Sequence, residues 1–181
     1  MKLTVSVVAL GLLVCMAAAA QAKPVKAKTA AAPAQATQAA AAATVAAPAN
    51  KAGKLCKLAI LGNEMLQYDK KFLAISSDCA TVELTLSYPG HMPVQAMGHN
   101  WVLAKTTNAQ AVVNAGIAAG AANNYVPAAD ARILAATQLI GGGQSTSITF
   151  RTKGLVKGGD YTYFCSFPGH FGTMKGKFIV R

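Results

Sequence analysis

The chain is 181 residues long, enough for one domain with a packed core and an extension, and its formal net charge is +11. Six of its lysines and none of its acidic residues lie before residue 55, which leaves a net charge of only +5 for residues 55–181. Because no stretch interleaves basic residues with aromatic ones, the composition argues against nucleic-acid binding and leaves a modest preference for acidic partners.

The first 22 residues have the three parts of a secretory signal peptide. Lys2 precedes the apolar run LTVSVVALGLLVCM, and the sequence AQA that ends at Ala22 is a small-residue cleavage site. We therefore predict a signal peptide over residues 1–22, cleaved near Ala22, and export to the periplasm. The apolar run is short for a bilayer span of about 20 residues. A lipid anchor at Cys15 is a lesser alternative, because the residue before it is bulkier than such processing prefers.

Residues 23–54 form a low-complexity linker that contains almost nothing but Ala, Pro, Thr, Gln and Lys. Such a segment cannot bury enough apolar surface to offset the entropy of ordering it. We expect a disordered or semi-extended tether there, followed by one folded domain over residues 55–181. Two roles stay open for it, a spacer from a membrane or partner and a tail without specific contacts.

Removal of the signal peptide leaves three cysteines, Cys56, Cys79 and Cys165. An odd number in an oxidising compartment needs an explanation, and parity alone allows three pairings. Cys56 and Cys79 lie near the ends of predicted strands, so a disulfide between them could tie two strands together and stabilise the fold by roughly 3 kcal/mol. In that case Cys165 keeps a free thiol.

Eight short segments rich in β-branched, aromatic or leucine residues follow one another from residue 55, and several alternate with period two. They are LCKLAILG, YDKKFLAIS, ATVELTLSY, NWVLAKT, RILAATQLI, STSITFRT, YTYFCSF and KGKFIVR. Turn-forming residues such as Pro, Gly and Asp separate them. The pattern predicts an all-β sandwich or barrel of eight strands. Residues 108–122 are alanine-rich with helical spacing, and we predict one helical insertion there that covers one side of the strands.

Three soft metal ligands lie close together near the end of the chain, in the pattern Cys165-x4-His170-x3-Met174. The turn at Pro168 and Gly169 would bring His170 back towards the sulfur. A fourth ligand has to come from elsewhere, and His99 is the natural choice because it directly precedes a predicted strand. The remaining histidine, in the loop GHMP, is better explained as an exposed side chain.

These ligand types select the metal. A thiolate, two imidazoles and a thioether are too soft for calcium or magnesium, and structural zinc sites seldom use methionine. Two histidines and a cysteine with a long axial methionine are typical of a blue-copper electron-transfer centre. We therefore predict one copper ion that cycles between Cu(I) and Cu(II). The sequence offers no open coordination position and no acid–base pair, so we expect neither an enzyme nor a small-molecule substrate.

At these residues the chain resembles the azurins, a group of cupredoxins. The resemblance covers residues 55–181 and depends on MGHNW, LIGGGQ, CSFPGH followed by MKG, the early cysteines and the helical insertion. It implies a Greek-key β-sandwich and a disulfide between Cys56 and Cys79. By the same resemblance, His99, Cys165 and His170 bind copper, Met174 and the carbonyl of Gly98 are distant axial ligands, and backbone amides of Asn100 and Phe167 donate to the sulfur.

The resemblance also implies a route for the electron through the exposed edge of His170. An apolar rim would surround this edge and consist of Met92, Pro93, Met97, Phe167, Pro168, Gly169 and Phe171. Small apolar surfaces suit brief encounters, which a shuttle needs for fast release. We expect transient redox partners, such as c-type cytochromes or periplasmic reductases, and a monomeric protein.

Two positions depart from many azurins, which carry histidines where this chain has Tyr88 and Ala136. We therefore expect the reduction potential to depend weakly on pH. Phe171 and Thr173 also change the rim, which bears on the choice of partner. The leading function is a periplasmic electron carrier. Its rivals are a copper-sequestering protein without electron transfer and a purely structural or adhesive sandwich, which would leave the four soft ligands unexplained.

Overall fold

The structure is a computed structural model, and it describes residues 53–181. The predicted signal peptide and all but the last two residues of the predicted linker therefore lie outside the described residues. The first strand begins at Lys54, and residues 53–181 fall within one compact unit. None of the helices in this range has both the length and the apolar content that crossing a bilayer takes.

All eight predicted strands are present, and most are shorter than the apolar segments that predicted them. They are β1 (Lys54–Leu61), β2 (Phe72–Ile75), β3 (Cys79–Tyr88), β4 (Val102–Lys105), β5 (Ile133–Ala136), β6 (Gln144–Arg151), β7 (Tyr161–Phe164) and β8 (Lys175–Val180). The predicted helix is α2, Ala109–Ala119, and a short helix that the sequence did not reveal is α1, Val94–Met97. Single 3-10 turns lie at Thr106–Asn108 and Ala121–Asn123.

The strands form two sheets, one in the order β1-β3-β6 and the other in the order β2-β8-β7-β4-β5. The pairs β1–β3 and β2–β8 are parallel, and the remaining pairs are antiparallel. Neighbours in each sheet are mostly not consecutive in the chain, as a Greek key requires. The predicted eight-stranded sandwich is therefore confirmed.

The core lies between the two sheets and follows from the alternation of the strands. In β3 every second residue from Val82 to Tyr88 is fully buried, because these side chains point to the inner face. Trp101 is completely buried and contacts the rings of Tyr163, Phe150 and Phe178. A packed aromatic core of this kind gives the strand ends that carry the metal ligands a rigid support.

Helix α2 covers the outer face of the five-stranded sheet. Its buried residues, Ala109, Val112 and Val113, recur at helical spacing and pack against a cluster on β4 and β7. The helix ends at Gly120, whose φ of 75° breaks the helical path. The predicted insertion over one side of the sandwich is thus confirmed, with an end three residues short of 108–122.

Candidate metal centre

The proposed ligands reach one place from two directions in the chain. His99 lies directly before β4, where its N–H donates to the carbonyl of Ile140 at 2.9 Å and its own carbonyl accepts from Ile140 at 2.8 Å. Cys165 directly follows β7, and the loop to β8 contains His170 and Met174. Both flanking strands belong to the five-stranded sheet, in which β4 and β7 are neighbours, so the two segments meet at one end of the sandwich.

The loop from Cys165 to Met174 is closed by its own backbone. The N–H of Cys165 donates to the carbonyl of Met174 at 3.0 Å, and that of Met174 donates to His170 at 2.9 Å. The N–H of His170 donates to Phe167 at 3.1 Å, and Gly169 takes a φ of 84° between them. Since a side chain is strained at such a φ, glycine permits this turn. The loop therefore holds its ligands in one compact arrangement.

Three donor atoms converge in the interior. The ligand atoms of His99, Cys165 and His170 all lie within 4.8 Å of one another, and all three residues are buried. The Sγ of Cys165 is 3.6 Å from Nδ1 of His170 and 3.9 Å from the carbonyl oxygen of Gly98. Met174 is fully buried next to this group, with its methyl carbon close to the His99 ring near Gly62. The sequence thus anticipated which residues would meet.

The imidazole of His99 is held in a form that suits a metal. Its Nε2 lies 3.0 Å from the carbonyl oxygen of Asn63, which can only accept, so Nε2 carries the proton. Its Nδ1 is buried and has no hydrogen-bond partner within the part of the chain that the structure describes. A buried, unpaired lone pair costs free energy unless something binds it. The donor set of one thiol sulfur and imidazole nitrogens fits copper, which takes up such a lone pair.

The surroundings of the thiol balance burial against hydrogen bonding. Burial raises the pKa of Cys165 to about 12, while backbone N–H groups of Asn100 and Phe167 donate to the sulfur and lower it. Burial, helped by the neighbouring His99, lowers the pKa of His170 to about 4. Both effects keep these ligands uncharged in the absence of a positive ion, and the two amides favour the thiolate once a cation is present.

Asn100 ties the two ligand-bearing segments together with its side chain. The Oδ1 of Asn100 accepts from the N–H of Ser166 at 2.9 Å, and its Nδ2 donates to the hydroxyl of Ser166 and the carbonyl of Asn124, both at 2.8 Å. Asn100 follows His99 in the chain, and Ser166 follows Cys165. These bonds therefore fix the spacing of the two ligands.

Two residues at the site were missed by sequence reasoning, Gly62 and Asn63. An added Cβ at Gly62 would lie 2.9 Å from the His99 ring and 2.9 Å from the methyl carbon of Met174, so only glycine fits there without displacement. Asn63 supplies the carbonyl that sets the His99 tautomer. The dipeptide Gly-Asn directly after a strand was the available signal, but it reads as an ordinary turn.

The residues of the predicted rim differ in exposure. Met92 is 38% exposed, Pro168 and Gly169 are exposed, and Pro93 is exposed at the start of α1. Met97 and Phe171 are half-buried, and Phe167 is buried with its ring 4.6 Å from that of His170. His170 itself is only 4% exposed.

The structure also places the third histidine, Tyr88 and the two remaining cysteines. The histidine at position 91 is exposed and its backbone N–H donates to Glu64, so it is not part of the donor group. Tyr88 is buried, with its ring 4.4 Å from that of His99. The disulfide between Cys56 and Cys79 is formed, with a Cα–Cα distance of 5.8 Å, which confirms that prediction and leaves Cys165 as the free thiol among the described residues.

Comparisons with known proteins also indicate a copper-binding protein. The family model for copper-binding proteins of the plastocyanin/azurin family matches residues 54–181. Azurin-1 from Alcaligenes xylosoxydans xylosoxydans is 50% identical over 121 residues, which is 67% of this chain and 94% of the relative. Azurin from Bordetella pertussis is 49% identical over 121 residues, which cover 67% of this chain and 81% of the relative.

Among solved structures, an azurin (Az-iso2) from Methylomonas sp. strain J is similar with a TM-score of 0.67 and 40% identity, over 70% of this chain and 98% of that one. The β-sandwich of the present chain and its buried cysteine and histidine donors agree with these comparisons. The chain belongs to the plastocyanin/azurin family of copper-binding proteins, and it is a blue-copper electron-transfer protein of the azurin type.

Proposed function

We propose that this protein is a periplasmic electron carrier that holds one copper ion with His99, Cys165 and His170. The observation that carries the proposal is the convergence of three buried donor atoms within 4.8 Å. Met174 and the carbonyl of Gly98 would provide the weaker contacts to the ion, since the Gly98 oxygen lies 3.9 Å from the thiol sulfur and the Met174 methyl carbon lies close to the His99 ring. The amides of Asn100 and Phe167 stabilise negative charge on the sulfur.

The bound ion supplies a one-electron couple between Cu(I) and Cu(II). The chain contributes a ligand arrangement that changes little between the two states. His99 is fixed by Asn63 and Ile140, and the loop of Cys165 is fixed by its backbone and by Asn100. Because the ligands are held by the packed end of a sandwich, little has to move when an electron arrives or leaves.

His170 provides the exit for the electron: it is only 4% exposed, but it directly follows the exposed residues Pro168 and Gly169 in the loop. The apolar rim excludes water while a partner is docked. A rim of this size supports weak, short-lived complexes, as a shuttle between redox proteins requires. We propose partners of the c-type cytochrome or periplasmic reductase type and a monomeric carrier. The protein passes electrons and does not turn over a small-molecule substrate.

The periplasmic location is supported by two independent features. The first 22 residues read as a signal peptide, and disulfides such as the one between Cys56 and Cys79 typically form in oxidising compartments. Both features are properties of an exported protein.

Repeated redox cycling in the presence of a Cu(I) chelator separates a carrier from a copper-sequestering protein. The copper-loaded protein is reduced and reoxidised through many cycles on an electrode, with bathocuproine disulfonate in solution. A carrier keeps its copper and its reversible one-electron wave. Copper that stays bound without a reversible one-electron wave would favour sequestration instead. Loss of copper to the chelator in each reduced phase would contradict both functions.

A further inference from the structure

A groove lies on the outer face of the five-stranded sheet, between helix α2 and strand β8. It encloses about 320 Å³, and its lining includes Ala109, Gln110, Thr162, Phe171, Lys175 and Lys177. Phe171 belongs both to this groove and to the apolar rim around His170. The groove therefore continues the rim along β8. The sequence did not predict this groove.

Lys175 brings a positive charge to the junction between rim and groove. Its Nζ lies 4.5 Å from the centre of the Phe171 ring, and that ring packs edge-on against Phe164 at 5.3 Å. The aromatic face holds the ammonium group beside the rim, because a cation is attracted to the negative face of a ring. Lys175 is exposed and makes no ion pair within residues 53–181.

A second lysine lies against the ligand loop. The Nζ of Lys71 is 3.5 Å from the carbonyl oxygen of Thr173, which lies in the loop between His170 and Met174. Lys71 is exposed and likewise forms no ion pair among the described residues. We call Lys71 and Lys175 the lysine flank. Its two charges are uncompensated.

The neighbouring charges do not cancel this flank. Lys177 is paired with Asp160, and the lysine that precedes Lys71 is paired with Asp69, so these groups nearly neutralise one another. The carboxylate of Glu64 accepts from a backbone N–H in the loop that contains Met92, a rim residue. The border of the rim therefore carries unpaired positive charge beside Phe171 and a carboxylate beside that loop.

We propose that the lysine flank and the groove beside Phe171 extend the docking surface, and that they bind a redox partner whose apolar contact patch is bordered by carboxylates. This inference rests on the proposed electron-carrier function. The chain's own first 52 residues are a poor occupant, since they contain lysines and no acidic residue and would be repelled. Exposed charge pairs add little affinity, so the flank acts chiefly on the rate and orientation of encounter.

The test compares two double variants that remove the same charge from different places. Lys71→Gln with Lys175→Gln removes the flank. Lys153→Gln with Lys157→Gln is the matched control. Both of these residues are exposed in the turn after β6, and the neighbouring Thr152 contacts Cys79, so this turn lies beside the disulfide and not beside the flank.

Oxidation of the reduced copper protein is followed by stopped flow with an acidic c-type cytochrome, with anionic hexacyanoferrate(III) and with cationic tris(phenanthroline)cobalt(III). Reduction potentials are measured for each variant, so that rates are compared at equal driving force.

At an ionic strength of about 0.01 M, where the screening length is about 30 Å, we expect the flank variant to react about threefold to tenfold more slowly with the acidic cytochrome. The hexacyanoferrate rate should fall as well, the cobalt rate should not fall, and the control should change less than twofold. The difference should vanish near 1 M salt, where screening acts within about 3 Å. Equal losses of rate in both variants, or no loss of rate with the acidic cytochrome, would overturn the docking inference and leave the proposed function intact. A wild-type protein that none of the three oxidants can oxidise would overturn the proposed function and this inference with it.

Discussion

Removal of the disulfide is expected to weaken the fold without changing the copper site. The bond joins β1 to the first residue of β3 and closes a loop with a sequence separation of 23. In the chain-entropy model, a crosslink of that span lowers the entropy of the unfolded chain enough to stabilise the native state by about 3 kcal/mol. Strands β1 and β3 keep their eight-residue parallel pairing without it, so the effect falls mainly on the unfolded state.

The same strand sets the distance between the disulfide and the metal site. Gly62 lies six positions after Cys56, and a Cβ added to Gly62 would lie 2.9 Å from the His99 ring. At about 3.3 Å per residue along a strand, the two points are roughly 20 Å apart. The visible spectrum and reduction potential of the Cys56→Ala/Cys79→Ala variant should therefore match those of the wild type.

Urea unfolding of the metal-free protein measures the loss, with the single tryptophan as the fluorescent reporter. The comparison is made in a Cys165→Ala background, so that no free thiol reshuffles the bond. We expect a loss of about 3 kcal/mol and a larger m-value, because an unfolded chain without the crosslink exposes more surface. Chemical reduction of the disulfide should reproduce the variant. A loss below about 1 kcal/mol, or a shifted copper spectrum in the variant that keeps Cys165, would refute this reasoning.

Three further predictions concern the site. Gly62→Ala should displace the His99 ring or the Met174 methyl, destabilise the protein by about 1–3 kcal/mol and shift the visible band, as thermal unfolding and absorption would show. Because Tyr88 and Ala136 stand where the resemblance to azurins implies histidines, the potential should change by far less than about 59 mV per pH unit between pH 5 and 8, and a slope near that value would contradict the interpretation. Copper loading at pH 7 should release about one proton, measured with an indicator dye, because the buried Cys165 thiol has a pKa raised to about 12; the Cys165→Ala variant should release none.

Local patterns explain why the strands and the ligand loop could be predicted. Turn residues separate all eight strands, and several strands also alternate with period two, as in β3, where buried and half-buried residues alternate from Val82 onwards. The alternation fails in β7, in which all four residues are buried, because α2 covers its outer side. The loop from Cys165 to Met174 could be predicted since its ligands lie within ten residues of one another.

Contacts between distant segments explain what the sequence could not reveal. Strands β1 and β3 pair in parallel through a long connection, and no spacing in the sequence encodes that register. Gly62 and Asn63 meet His99 only because β1 ends across the site. Lys71 reaches the carbonyl of Thr173 across 102 residues of sequence. Helix α1 has four residues and no periodic signal, so it also escaped prediction.

The visible absorption spectrum after addition of Cu(II) tests the central claim most directly, with the Cys165→Ala variant as the control. The wild type should develop an intense blue thiolate-to-copper band that a mild reductant bleaches and an oxidant restores, and the variant should stay colourless. Copper bound to the wild type without that band would contradict the account, because it would mean that the buried thiol is not a ligand.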